Sequence, residues 1–162
     1  MSRGKILVSQ DASSHVIKLE GDVRVVLCAS LNDYMNTIFK SKTISRIIVD
    51  MVETEGVDST TLGLLARLAI YSNEKFNIRP IVFCPDASLY ETLMVMGLDE
   101  VFEIVKSKQS DLNNCRELSF ESTGSAVDIK AHVLMAHKLL SSINEKNKNE
   151  FLDLIAVLEK EK

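Results

Sequence analysis

The chain has 162 residues, a net charge of −4 and 46% hydrophobic residues, which is enough apolar material for one folded domain. The acidic balance argues against a nucleic-acid surface or an anionic membrane surface as the main partner, because both attract cations. No apolar run approaches the length of a membrane span, and the start of the chain lacks a signal-peptide core. Three widely spaced cysteines fit reduced thiols rather than a disulfide framework or a zinc site. Together these features predict a cytoplasmic protein.

The first part of the chain alternates between strand-like and helix-like segments. Residues 6–8 predict a short edge strand, and after a turn-like break residues 15–20 predict a half-buried strand. Residues 23–28 are apolar, and we expect them to be extended. Ser30, with Asp33 three residues later, resembles a capping box at the start of a helix. That predicted helix has one apolar face, formed by Leu31, Tyr34, Met35, Ile38 and Phe39.

The middle of the chain continues this alternation. Residues 47–50 are rich in β-branched side chains, which is typical of a strand covered on both faces. A helix with an apolar face follows (Leu62, Leu65, Ala66 and Ala69), and a strand is predicted at 81–84 between two prolines. Asp86 or Ser88 is the expected cap of a third helix, and 101–105 form the last predicted strand. Strands that alternate with helices predict parallel βαβ units with right-handed crossovers.

The pattern changes after residue 105. Residues 107–125 are rich in Ser, Asn and charge, and they predict a linker or irregular segment. Residues 126–162 predict two helices separated by a polar break at 145–147. Their apolar stripes are Ile129, Val133, Ala136, Leu140 and Ile143 in the first helix and Phe151, Leu154, Ile155 and Leu158 in the second. We therefore expect a domain at 1–106, a linker at 107–125 and a helical extension at 126–162, with the stripes buried against the domain's own sheet or a partner.

The most informative segment is the turn at 55–65, which lies between a predicted strand and a predicted helix. Its hydroxyl side chains are placed where the N–H groups of a helix start are unpaired, which suits a phosphate. The same residue types are ordinary helix caps, and local chemistry alone favours that interpretation. Asp50, Glu53, Glu55 and Asp58 are close in sequence, so they could bind a cation, but they fit solvated turn residues better.

The sequence contains no set of residues that predicts catalysis. His15, His132 and His137 are too scattered for a triad, and we interpret all three as surface residues. His132 and His137 are five residues apart, which departs from the four-residue spacing of a zinc pair on a helix. The glycines are isolated, so no phosphate loop is predicted. We expect no enzyme activity, no metal site and no cofactor.

Several short motifs, in order, resemble the STAS family, which includes the bacterial anti-sigma-factor antagonists. The segment 58–63, Asp-Ser-Thr-Thr-Leu-Gly, is similar to the family's Asp-Ser-x-Gly-Leu-Gly signature, although Thr61 stands where many members carry Gly. Residues 19–23 resemble the second strand and its Gly-acidic turn, 46–50 the third strand, and 96–102 the closing segment. The resemblance covers most of the chain. It implies an α/β fold with a mixed, mostly parallel sheet, to which a C-terminal helical hairpin is added.

The resemblance also implies a function in partner switching. Such a protein binds an anti-sigma factor that is also a GHKL-type serine kinase, and it thereby frees a sigma factor. The kinase phosphorylates the Ser that follows the Asp of the motif, here Ser59, with Thr60 as the alternative, and a metal-dependent serine phosphatase reverses this step. The implied partner contacts are Asp22, Asp58, Ser59, Thr60, Thr61 and Gly63. The alternative is a structural STAS subunit of a transporter or scaffold complex, in which the turn is an interface without phosphorylation.

Overall fold

The structure, a computed structural model, describes residues 2–107, 115–118 and 126–160, and for 126–128 it describes the backbone alone. The described strands are β1 (Lys5–Asp11), β2 (Ser14–Val23), β3 (Arg46–Asp50), β4 (Thr54–Val57), β5 (Ile81–Phe83), β6 (Glu103–Val105) and β7 (Arg116–Glu117). The described helices are α1 (Cys28–Phe39), α2 (Ser59–Phe76), α3 (Ala87–Val95), α4 (Ala126–Ile143) and α5 (Glu145–Lys160). The predicted fold class, α/β with a C-terminal helical hairpin, is confirmed.

The described strands form one mixed sheet in the order β6-β5-β3-β2-β1-β7, and β4 pairs with the end of β2. Strands β2, β3, β5 and β6 are parallel neighbours, whereas β1 runs antiparallel to β2 and to β7. Helices α1, α2 and α3 connect the parallel strands, as the sequence pattern predicts. Strand β4 pairs with the carboxyl-terminal end of β2, and α2 follows β4 directly. The start of α2 therefore lies at the carboxyl-terminal end of the parallel strands β2 and β3.

The core lies between the sheet and the helices α1 and α2. The sheet contributes alternate side chains that are at most 2% exposed (Ile6, Val8, Ile17, Leu19, Ile47 and Val49). The predicted apolar faces of α1 and α2 are confirmed, because every member of both is buried. The buried faces of these strands and helices therefore follow the hydrophobic periodicity of the sequence.

Three predictions about elements in the first 105 residues are wrong. The segment predicted to be extended contains a 3-10 turn at Val25–Leu27, and α1 begins at Cys28 without a side-chain cap. The Ser30 capping box is therefore not formed. A contact that is distant in sequence explains this turn, because the Val25 N–H donates to Asp58 Oδ2 at 2.7 Å. The last strand also starts later than predicted, at Glu103, since a 3-10 turn precedes it.

The predicted edge strand and linker also need correction. Strand β1 is not at the edge of the described sheet, because β7 pairs with it at Leu7↔Glu117 and Val8↔Arg116. Strand β7 lies inside the segment predicted to be a linker or irregular. The remainder of that segment, at 108–114 and 119–125, lies outside the described residues.

The C-terminal helices pack on helix α2 and not on the sheet. Ala136 and Leu140 of α4 are completely buried, and Phe151 of α5 is 9% exposed. The break between the helices is at Asn144, not at 145–147, because Asn144 Oδ1 accepts the Asn147 N–H at 2.8 Å and caps α5. The predicted stripes are only partly buried, since Ile129 and Leu154 are 38% and 39% exposed. Within the part of the chain described here, no helix has the length and apolar character needed to cross a membrane.

Candidate functional site at the start of helix α2

Asp58 fixes the geometry of the turn that leads into α2. It is the N-cap residue of the helix, with extended backbone at φ −99° and ψ 171°. Its Oδ1 accepts the Thr61 N–H at 2.8 Å and lies 2.7 Å from the Thr61 hydroxyl oxygen, and its Oδ2 accepts the Val25 N–H. One carboxylate therefore caps the helix and ties it to the segment before α1.

Of the three hydroxyls that follow Asp58, Ser59 has the greatest access to solvent. Thr61 is completely buried, and its Oγ1 lies 3.3 Å from the Val23 carbonyl and 3.7 Å from Cys28 Sγ. Thr60 is 4% exposed, whereas Ser59 is half-buried. Thr61, where many STAS proteins carry Gly, thus fills the space between β2 and α1. In this conformation a partner can reach Ser59 more easily than either threonine.

The Ser59 hydroxyl contacts a histidine from the C-terminal hairpin. Ser59 Oγ lies 2.8 Å from His137 Nε2, and His137 Nδ1 lies 2.6 Å from the Val133 carbonyl oxygen. A carbonyl only accepts, so Nδ1 carries the proton, and in the neutral imidazole Nε2 is then the acceptor. In this neutral tautomer the Ser59 hydroxyl donates to His137 Nε2. The histidine is 3% exposed and packs edge-to-face on Phe151 at 4.9 Å between ring centroids.

Gly63, one turn after Ser59, is a point of close approach between α2 and α4. A Cβ built on Gly63 would lie 2.3 Å from the Ala136 carbonyl oxygen and 2.5 Å from its Cβ. Arg67, one turn further, donates to the side chains of Asn32 and Asn36 and borders a groove of about 460 Å³ beside α4. Because residues four apart lie on one side of a helix, Ser59, Gly63 and Arg67 form one surface, here named the Ser59 face. Helix α4 covers it.

Asp22, the other predicted partner contact, lies beside the same turn. It pairs with Gly56 of β4, and its Oδ2 accepts from Arg24 Nε at 2.7 Å. This hydrogen bond, with the charges of Asp22 and Asp58, raises the pKa of the Arg24 guanidinium. The Arg24 side chain is half exposed, so its positive charge lies at the surface beside the carboxylates of Asp22 and Asp58.

The predicted acidic cluster is not one solvated surface. Asp50 is completely buried at the end of β3, and its Oδ1 accepts the Val52 N–H at 2.9 Å. Glu55 accepts from the backbone N–H of Ser2 at 2.6 Å, while Glu53 is exposed. The interpretation of Asp50 as a solvated turn residue is therefore wrong. Among the described residues, no group of three or more His, Cys, Asp or Glu side chains could hold a metal ion.

Two of the three histidines are buried, which contradicts the prediction that all are on the surface. His15 is 3% exposed and its Nδ1 lies 2.8 Å from the Tyr34 hydroxyl oxygen, and burial lowers its pKa. His137 contacts the candidate site, and only His132 is partly exposed. A signal for His137 was present in the sequence, because it follows Val133 by four residues and precedes Leu140 by three. That spacing places it beside the apolar stripe of α4.

Comparison of the chain with protein-family models gave no match, and comparison with curated protein sequences gave none. Among solved structures, the chain is similar to the crystal structure of an anti-sigma factor antagonist from Mycobacterium paratuberculosis. The TM-score is 0.51 and the sequence identity 16%, and the match covers 65% of this chain and 87% of the other. At this identity the likeness concerns the fold alone. The predicted STAS-like fold is thus confirmed.

Proposed function

We propose that this protein is an anti-sigma-factor antagonist and that reversible phosphorylation of Ser59 controls its binding to an anti-sigma factor with GHKL-type serine kinase activity. The carrying observation is the turn itself, where Asp58 caps α2 and Ser59 is the least buried of the three hydroxyl side chains that follow it. The similar fold of a known antagonist supports the same conclusion. We further propose two partner contacts near Ser59: Asp22, which pairs with Gly56 just before the turn, and Gly63, one helical turn after Ser59.

The chemistry requires little of this chain. Ser59 Oγ forms a bond to the γ-phosphorus of ATP, the bond from that phosphorus to the β–γ bridging oxygen breaks, and ADP leaves. The hydroxyl proton passes to a base of the kinase, which also supplies the metal and the positioning. A metal-dependent serine phosphatase then hydrolyses the phosphoserine. We expect no turnover by the chain itself, and we expect these partners in the cytoplasm.

Phosphorylation should change binding more than folding. The phosphate adds a charge of about −1.5 to −2, and the N-terminus of α2 tolerates that charge through its dipole and free N–H groups. A partner surface pressed against the turn must instead remove water from the phosphate. Asp22 and Asp58 already place negative charge there, and Arg24 offsets only part of it. We therefore expect the phosphorylated protein to release the anti-sigma factor.

Thr60 remains the alternative acceptor, and it needs more rearrangement because its side chain is buried. A structural STAS subunit remains the second candidate function. The observation that favours it is the hydrogen bond between Ser59 and His137, which engages the hydroxyl within the chain. In that case the turn would serve as an interface without phosphorylation.

The test is the affinity of the Ser59 variants for the anti-sigma factor obtained by co-purification from native cytosol. Ser59→Ala should bind constitutively, and Ser59→Asp should bind roughly a hundredfold more weakly, a difference of about 3 kcal/mol. Ser88→Asp is the matched control, since Ser88 is an exposed serine in the first turn of α3, and it should bind like the wild type. Equal affinities of Ser59→Ala and Ser59→Asp would favour the structural-subunit alternative.

A further inference from the structure

We propose that helix α4 occupies the surface on which the partner docks, so that the C-terminal hairpin masks Ser59 and competes with the partner for it. This inference rests on the proposed function of Ser59. It assigns a role to the hairpin. The α/β fold does not require a hairpin at this position on α2. The surface in question is the Ser59 face, and α4 contacts it over three turns.

The contact at Ser59 blocks phosphoryl transfer while α4 is in place. The hydroxyl must approach the γ-phosphorus of ATP in line, yet His137 Nε2 lies 2.8 Å from it. The imidazole cannot turn away easily, because Val133 holds its Nδ1 and Phe151 packs on its ring. We therefore infer that the kinase reaches the Ser59 hydroxyl only after α4 has moved away from it.

The contact at Gly63 shows what kind of partner fits the surface. The missing side chain lets the backbone of Ala136 approach α2 directly. Such a close approach suits a helix that presents a small residue at its centre. We infer that the partner offers a helix of this type to the Ser59 face, and that α4 is its intramolecular counterpart.

The interface is suited to release. A groove of about 460 Å³, lined by Arg67 and residues of α4, leaves the contact at this end of the Ser59 face less closely packed than the contact at Gly63, and close packing is what makes core contacts strong. The hairpin holds together by its own contacts, such as Lys138 with Glu159 at 2.7 Å, so it can move as a unit. Its connection to the segment after α3 includes hydrogen bonds from Asn144 to Glu100 and from Asn147 to the Met96 carbonyl. The masked and open forms thus define a two-state element that a partner can shift by mass action.

The experiment measures the rate of Ser59 phosphorylation in the full chain, with native cell extract and Mg-ATP as the kinase source and mass spectrometry as the readout. Ala136→Glu places a charge at a position that is completely buried against Gly63, and it should release α4 while preserving its helix propensity. Ala156→Glu is the matched control on the exposed side of α5. His137→Ala is a second opening variant, in case the first does not fold. Hydrogen exchange of the amides in α4, compared with those in β2 and β3, reports release without global unfolding.

We expect Ala136→Glu to be phosphorylated at least tenfold faster than the wild type, His137→Ala to show a smaller increase, and Ala156→Glu to match the wild type. Exchange in α4 should rise in the two opening variants alone. Equal phosphorylation rates in all four proteins, with exchange in α4 raised as expected, would overturn the mask and leave the function of Ser59 intact. No phosphate on Ser59 in any of them would overturn the proposed function and the mask with it.

Discussion

The substitution Gly63→Ala tests the contact between α2 and α4 directly. The three atoms nearest to the new Cβ all belong to Ala136, at 2.3 to 2.6 Å, and two of them are backbone atoms. Because ordinary carbon contacts are about 3.5 to 4.0 Å, α4 must move by roughly 1 Å or more. The backbone cannot adopt another rotamer, so the whole helix has to shift or leave.

The magnitude follows from two opposing effects. Overpacking a well-packed interface costs about 1 to 3 kcal/mol, and rigid backbone places Gly63→Ala at the upper end. Replacing Gly with Ala inside a helix contributes about 1 kcal/mol of stability. In the full chain the net result should be a loss of about 2 kcal/mol. In a chain that ends before residue 124 the clash is absent, so the same substitution should stabilise by about 1 kcal/mol.

Urea unfolding followed by circular dichroism measures both chains, with and without the substitution. The shorter wild-type chain should itself melt at a lower temperature than the full chain, because it exposes the surface that α4 covers. The decisive observation is that Gly63→Ala lowers the free energy of unfolding of the full chain but raises that of the shorter chain. If Gly63→Ala stabilises both chains equally, α4 does not lie against Gly63, and the masking proposal loses its structural basis.

Three further predictions concern groups that the structure buries or caps. Asp58→Ala should lower the free energy of unfolding by about 2 kcal/mol, since it removes an N-cap and the acceptor of a second backbone N–H, and a loss below about 0.5 kcal/mol would contradict this. Burial raises the pKa of the Cys28 thiol to about 12 and that of the Cys84 thiol to about 11. At pH 8 only the exposed Cys115 should therefore react quickly with a disulfide reagent, whereas all three thiols should react in denaturant. Burial lowers the pKa of His15 below its ordinary value of about 6.5, so the stability it contributes is present above that pH and is lost as the pH falls through it towards the folded-state pKa. His15→Gln should therefore flatten the fall in unfolding free energy between pH 7 and 5, and an unchanged slope would refute this.

Local sequence patterns predicted much of the fold because they reflect local physics. The apolar faces of α1 and α2 follow from helical spacing, and Asp86 caps α3 through a hydrogen bond to the Leu89 N–H, one of the two caps expected. The strands β2, β3 and β5 follow from their apolar content. The position of α1 did not follow, because the Val25 turn depends on Asp58, a residue distant in sequence.

The short strands could not be predicted for a different reason. Strand β4 pairs only with the irregular end of β2, where the register shifts between Gly21 and Asp22. The sequence of β4 does not alternate between apolar and polar residues. Strand β7 consists of two residues and is defined by its partner β1. Such strands form because a neighbouring strand pairs with them, and their short polar sequences carry no pattern that predicts them.

The candidate site divides in the same way. The strand-to-helix turn and the place of Ser59 at the start of α2 are local features, and the sequence pattern predicts them. The covering of that hydroxyl by His137 joins residues 78 positions apart, and no local pattern reports such a contact. An apolar stripe on α4 shows that the helix must be buried, but it does not specify that α2 is the surface that buries it.

The central claim is that Ser59 is the regulated group, and its most direct test is phosphosite mapping of the protein isolated from its native cells. Mass spectrometry should find a phosphate on Ser59, and Ser59→Ala should abolish it. A phosphate on Thr60 alone would move the acceptor by one residue. The absence of phosphate from all of residues 58–61, under conditions in which the partner kinase is active, would contradict the account.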